Sequence, residues 1–129
     1  MPLWKILVVD DDPDIRHIAS LALGRLGGFE VKVAANAEEA LASAAARPPD
    51  LVLLDVTMPG TDGPATLRAM RALPAMVRVP VVFFTATSND ADIARLCALG
   101  AVGVIAKPFD IVDLPRRVRA MIEKARAEL

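Results

Sequence analysis

Four places in the chain carry side chains suited to holding a cation and a phosphoryl group: Asp10-Asp11-Asp12, Asp55, Thr85 and Lys107. Each comes after a short apolar run. Ile6-Leu7-Val8-Val9 leads into the first acids, Leu51-Val52-Leu53-Leu54 into Asp55, Val81-Val82-Phe83-Phe84 into Thr85, and Val102 to Ile105 comes just before Lys107. Two carboxylates brought about 4 Å apart repel by roughly 4 kcal/mol at an effective dielectric near 20. Acids converging from two strands therefore want a cation. The ligands on offer are oxygens, with no His or Cys constellation, and that favours a hard ion, Mg2+ above all. Mg2+ commonly takes one or two carboxylates, several waters and a substrate phosphate. Lys107 adds positive charge and Thr85 a hydroxyl, so the expected site is one that holds a phosphoryl group.

Such a site needs the four places to meet, and the patterning supplies the means. The apolar runs are continuous rather than alternating, as in parallel strands covered on both faces. Phe29 to Ala34 and Val102 to Ile105 are weaker strand candidates. Between the runs lie helical patterns. Ile15, Ile18, Ala19, Ala22, Leu23 and Leu26 form one stripe, stopped by Gly27-Gly28. Ala37 to Ala46 starts behind Asn36, and Pro64 to Leu73 starts behind Asp62. A fourth helix runs from near Ser88 to Gly100, with Ile93, Leu96 and Cys97 on its apolar face. The last carries Leu114, Val118, Met121, Ile122 and Ala125; Pro115 predicts a start near Asp113 or a distorted first turn after Asp110. Strand and helix alternate five times. That order implies parallel strands, right-handed crossovers and helices on both faces, with ligands at the carboxyl ends of the strands.

Composition narrows the class. A chain of 129 residues has the size of one domain, and a 54% hydrophobic content excludes a disordered chain. Fifteen Lys and Arg against sixteen Asp and Glu give a net charge of -1, which argues against a general nucleic-acid binder. One Trp, four Phe and no Tyr leave little for stacking on bases. A single Cys excludes an internal disulfide and a cysteine metal centre. No apolar run approaches a membrane span or a signal-peptide core. The expectation is a soluble, cytoplasmic protein.

Four segments carry a more specific likeness. Ile6-Leu7-Val8-Val9-Asp10-Asp11-Asp12 is the first, and Leu53-Leu54-Asp55-Val56-Thr57-Met58-Pro59-Gly60-Thr61-Asp62-Gly63 the second. Phe84-Thr85-Ala86 and Ala106-Lys107-Pro108-Phe109 complete the set. Together, in a five-unit βα chain, they resemble the receiver domain of two-component response regulators over nearly the whole length. The resemblance implies a flavodoxin-like α/β fold: a doubly wound five-stranded parallel sheet, order 2-1-3-4-5, flanked by five helices. It implies one receiver domain over residues 1–129 with no output domain. The function implied is a phosphorylation-activated switch of a two-component or phosphorelay system, whose own chemistry is limited to self-catalysed phosphoryl acceptance and autodephosphorylation.

The resemblance also assigns roles. Asp55 matches the phosphoacceptor, a carboxylate nucleophile that forms an acyl phosphate. Asp11 matches the direct Mg2+ ligand, Asp10 the acid that holds the ion through water, and the Thr57 backbone carbonyl a further ligand. Lys107 matches the residue that neutralises phosphoryl oxygens, and its bond to Pro108 is cis in similar proteins. Thr85 matches the hydroxyl that turns toward the phosphoryl group, with Ala86 leaving room. The implied partners are a sensor histidine kinase or histidine phosphotransfer protein and a downstream protein, with no direct nucleic-acid contact and no membrane insertion. Val104 is a departure: similar proteins often carry an aromatic residue there that reports the movement of the threonine.

Other residues have plainer readings. Asp12 and Asp14 belong to a solvated face that also favours the next helix's N-terminus. His17 lies off the apolar stripe and is expected in solvent, while Cys97, on a stripe, is expected in the core. Arg116, Arg117, Arg119, Lys124 and Arg126 are expected to form a solvated basic face. Two other functions compete. A Mg2+-dependent phosphohydrolase of the haloacid dehalogenase type would need a second Asp where Thr57 stands. A receiver-like scaffold would bind partners without being phosphorylated.

Overall fold

The strands are Lys5–Val9 (β1), Glu30–Ala34 (β2), Leu51–Asp55 (β3), Val81–Thr85 (β4) and Gly103–Ala106 (β5). All pair in parallel, in the order β2-β1-β3-β4-β5. The structure is a computed structural model and describes residues 3–86 and 89–128. Every residue of β1, β3 and β4 is buried, as their unbroken apolar runs require; the edge strands β2 and β5 are only partly so. Strand and fold-order expectations are met.

The helices are Pro13–Leu21 (α1), Ala37–Ala46 (α2), Gly63–Arg71 (α3), Asp90–Ala98 (α4) and Asp113–Ala127 (α5). Side chains cap the first four. Asp12 accepts from the Asp14 amide at 2.9 Å, Asn36 from Glu39 at 2.9 Å, Asp62 from Ala65 at 2.9 Å and Asn89 from Ala91 at 2.8 Å. Each cap satisfies an amide that has no partner within its helix. The start of α5 takes both expected forms at once. The Leu114 amide donates to the Asp110 carbonyl at 2.9 Å, and the Asp110 carboxylate accepts from the Val112 and Asp113 amides at 2.8 and 3.0 Å. Regular helix begins at Asp113, which leaves Pro115 in the first turn, where no N–H is needed.

Two apolar layers sandwich the sheet. Ile6, Val8, Leu51, Leu53, Val82, Phe84 and Ile105 face α1 and α5, meeting Ala19, Leu23, Leu114, Val118 and Ile122. Leu7, Val9, Val52, Leu54, Val81 and Phe83 face α2, α3 and α4, meeting Ala40, Ala44, Leu67, Met70 and Leu96. Each fully buried aliphatic side chain contributes about 1.5–3 kcal/mol, which is why alternation along each strand fixes which face looks where.

Three expectations need correction. The stripe from Ile15 to Leu26 does not stay inside, for Ile18 and Leu26 are exposed. Beyond α1 the chain forms a π-helical turn, Ala22–Leu26, closed by the Gly27 amide on the Ala22 carbonyl at 3.1 Å. An i→i+5 turn advances less per residue than an α-helix, so Leu26 rotates out of line. Cys97 is exposed rather than in the core. α4 buries only Leu96 fully, a stripe too narrow to include its neighbour. The basic residues of α5 are exposed but not all merely solvated. Arg117 donates to the Val104 carbonyl at 3.2 Å, Arg119 to the Gly27 carbonyl at 2.7 Å, and Arg126 to Asp50. His17 is exposed, as expected. Ser88, the expected start of the fourth helix, lies outside the described residues.

Candidate functional site

Strand alternation explains how the candidate residues meet. Asp55 continues Leu51 and Leu53 onto the α1/α5 side of the sheet, Asp10 continues Ile6 and Val8, and Lys107 continues Ile105. β1 and β3 are neighbours, so Asp10 and Asp55 emerge side by side at their carboxyl ends. Lys107 starts two strands from Asp55 and must cross β4. Its ammonium lies 5.8 Å from the centre of the Phe84 ring and ends 2.6 Å from Asp10 Oδ2 and 3.2 Å from Asp55 Oδ1. Phe109, two residues on, stacks against the same ring at 5.5 Å between centroids. The Lys107–Pro108 bond is cis.

Burial separates the acids. Asp10 is 0% exposed and Asp55 5%, whereas Asp11 and Asp12 face solvent. Carboxylate oxygens of Asp10, Asp11 and Asp55 nevertheless come within 4.8 Å of one another. The second oxygen of Asp10 accepts from the Asp12 amide at 2.9 Å, and Asp55 Oδ1 accepts from the Thr57 amide at 3.3 Å. Asp12 and Asp14 play the helix-start role expected of them.

These contacts set the proton affinities. Burial, then the negative charge of Asp10, pushes the Asp55 pKa up to about 6, while Lys107 pulls the other way. Burial works against the Lys107 ammonium, but its hydrogen bond to Asp10 and the charges of both acids outweigh that, and its pKa is raised. One ammonium touches a cluster of three carboxylates. The formal excess of two negative charges and the all-oxygen donor set fit a divalent hard cation.

Thr85 ends β4 and is buried, and its carbonyl accepts from the Lys107 amide at 2.8 Å. Thr57 stands exposed two residues beyond Asp55. Thr87, which with Thr57 is expected to flank the site, lies outside the described residues. Val104 is half-buried and packs with the α2/α3/α4 layer.

Sequence reading missed two contributors. A Cβ on Gly63 would meet the Asp55 carbonyl oxygen at 2.4 Å, and the Gly63 amide donates to the Val56 carbonyl at 2.9 Å. The start of α3 is thus pressed against the backbone that carries Asp55, and only glycine leaves the room. Its place directly after the cap Asp62 was the available signal. The second is Arg16, whose guanidinium donates to the Asp10 carbonyl at 2.8 Å; in the first turn of α1 and six residues from Asp10, it carried no signal of that contact.

The model of the response regulator receiver domain family matches residues 6–119. The chain belongs to that family. Among curated relatives of this receiver, the transcriptional regulatory protein PrrA of Mycobacterium tuberculosis is 40% identical over 121 residues, covering 93% of this chain and 50% of PrrA. The phosphate regulon transcriptional regulatory protein PhoB of Rhizobium meliloti is 34% identical over 127 residues, covering 98% of this chain and 56% of PhoB. The receiver spans about half the length of the curated relatives it matches. Among solved structures, the chemotaxis protein CheY4 of Vibrio cholerae superposes with a TM-score of 0.87 at 31% identity, covering 93% of this chain and 99% of that one. The family is thus a response regulator family of two-component signalling, and the strand order is the 2-1-3-4-5 that the resemblance implied. Among the described residues, no helix is long and apolar enough to cross a membrane.

Proposed function

We propose that this receiver is a cytoplasmic phosphorylation switch in which Asp55 takes a phosphoryl group from a phosphohistidine. The donor is a sensor histidine kinase or a histidine phosphotransfer protein. The convergence of Asp10, Asp11 and Asp55 with the Lys107 ammonium at one rim of the sheet carries this reading. In the transfer, an Asp55 oxygen attacks phosphorus; the new P–O bond forms as the donor's P–N bond breaks, and the imidazole leaves. A nucleophile must be ionised, and a pKa of about 6 leaves Asp55 mostly so at neutral pH. Lys107 and the Thr57 amide both engage Oδ1, so Oδ2 is the attacking oxygen.

Asp10, Asp11, Asp55 and the Thr57 carbonyl would hold Mg2+. When bound, the ion neutralises charge on the phosphoryl oxygens, the main requirement of such a transfer. Lys107, in contact with Asp10 and Asp55, supplies the same kind of charge. Three carboxylates, one divalent ion and one lysine sum to about zero, and an added phosphoryl group makes the site anionic. The Thr85 hydroxyl and Lys107 are then drawn toward it. Their strands and the loop before α5 move with them, and that movement alters docking of a downstream protein.

A small acyl phosphate donor with Mg2+ tests the chemistry by intact mass. Wild type should gain one phosphoryl group, and Asp55→Asn or wild type in EDTA should gain none. No adduct on the wild type, or an equal adduct on the variant, overturns the proposal.

A further inference from the structure

We infer that Arg16 is a positioning residue for the acidic loop between β1 and α1, and that it tunes the affinity of that loop for a divalent cation. The inference rests on the metal-dependent reading above and adds a residue to it.

Asp10 is tied down at every polar group it has. Its amide donates to the Ala34 carbonyl at 3.1 Å, one carboxylate oxygen accepts from the Asp12 amide at 2.9 Å, and the other accepts from Lys107 at 2.6 Å. The remaining group is the main-chain carbonyl, and Arg16 Nη1 donates to it at 2.8 Å. That carbonyl belongs to the Asp10–Asp11 peptide. A planar peptide whose oxygen is held cannot rotate, so Arg16 fixes the direction in which the chain leaves toward Asp11. Asp11 needs such help. Its carboxylate is exposed, yet its oxygens converge with those of the buried Asp10 and Asp55 to within 4.8 Å. Convergence of like charges is unfavourable without a cation, so the metal-free loop has reason to splay.

Arg16 is well placed to resist this. It sits in α1, whose start is fixed by the Asp12 cap, and its own amide donates to the Asp12 carbonyl at 3.1 Å. One residue therefore joins both ends of the loop, by its backbone at Asp12 and by its side chain at Asp10. Its positive charge also lies beside the acids without occupying an oxygen that a metal would need, since its acceptor is a carbonyl. Residues that orient metal ligands without touching the ion typically change affinity by about 10–100-fold when removed.

The test compares Arg16→Met, Arg16→Lys and wild type in three measurements. These are the Mg2+ dissociation constant by calorimetry, exchange of the Asp12 amide in EDTA, and the urea midpoint in EDTA. Arg16→Met should bind Mg2+ about tenfold more weakly, the lower end of that range, and its Asp12 amide should exchange faster. Arg16→Lys, with charge and a donor, should recover most of both, and the urea midpoint should move little. Wild-type affinity and exchange in Arg16→Met, or Arg16→Lys no better than Arg16→Met, overturn the inference. Should Arg16→Met fail to fold, Arg16→Gln takes its place with the same outcomes. If the wild type itself binds no Mg2+, the metal reading fails, and the Asp12 exchange still decides whether Arg16 holds the loop.

Discussion

The two ends of the sheet hold charge in opposite ways. At the amino ends, charges meet partners of matching kind. The Lys5 ammonium donates to the Arg47 carbonyl at 3.0 Å, Arg47 grips both oxygens of Glu30 at 3.0 Å, and Asp50 divides its oxygens between Arg126 and the Lys5 amide. Arg119 lies 4.9 Å over the Phe29 ring and Arg126 5.5 Å over Trp4. At the carboxyl ends, a cluster of three carboxylates contacts one ammonium. At the first end each of these side chains is held by a hydrogen bond, an ion pair or an aromatic face, which serves stability. The second is left negative, which costs stability and, in the function proposed above, makes room for a cation and then a phosphoryl group.

Removing the ammonium that touches Asp10 and Asp55 should therefore do the most damage to chemistry. Lys107→Ala is expected to slow phosphorylation by the acyl phosphate donor by about 100-fold or more, the usual scale for losing a charge-stabilising donor. Stopped-flow or mass-resolved rates would measure it. A rate within a factor of a few of wild type would mean that Lys107 is only an ion-pair partner.

Gly63→Ala comes next, acting through the backbone under the site. The methyl group would meet the Asp55 carbonyl oxygen at 2.4 Å, and relieving such overpacking costs about 2–3 kcal/mol. Urea unfolding should show that loss. An unchanged midpoint would mean that α3 shifts away from Asp55 freely.

Much of this was legible in the sequence, for physical reasons that differ by region. β1, β3 and β4 are buried on both faces, so their apolar runs are unbroken and their terminal polar residues stand out. Asp10, Asp55, Thr85 and Lys107 could be found as the polar side chains at the carboxyl end of an apolar run. Gly63 offered only its place after the cap Asp62, and Arg16 nothing, because their roles depend on how closely two elements approach. The π-helical turn was hidden for a related reason. The stripe Ile15 to Leu26 fits α-helical spacing, while the turn that breaks it is set by tertiary contacts. A Cβ on Gly27 would meet the Leu23 carbonyl oxygen at 2.7 Å and Pro115 at 2.8 Å. Cys97 fell on the right side of a helix that buries too narrow a strip to cover it.

The uncompensated charge should also be visible in stability alone. The Asp55 pKa of about 6 lies above the value of about 3.9 for an unfolded aspartate. Between those values the folded chain binds more protons than the unfolded one, so this group makes stability rise as pH falls from about 6 to 4. Above pH 6 the penalty is complete. Metal-free Asp55→Asn should therefore be more stable than wild type at neutral pH, by on the order of 1–2 kcal/mol after allowance for solvent screening. The advantage should vanish near pH 4. Paired urea titrations at pH 7 and pH 4 in EDTA measure it, and an Asn variant less stable than wild type at pH 7 would falsify the idea that the site is strained by its own charge.

The smallest effect is expected at the opposite end, and it tests whether the two ends are independent. Arg126 pairs with Asp50 in a partly exposed contact and covers Trp4, the only tryptophan. Arg126→Ala should cost no more than about 1 kcal/mol, as for other ion pairs open to solvent. It should alter Trp4 emission, because a cation leaves the face of the ring. The phosphorylation rate should not change, since the strands between the two ends are held by a full ladder of parallel pairs and both apolar layers. A changed rate would show that the amino end takes part in the proposed switch, and the division between a stabilising end and a reactive end would have to be given up.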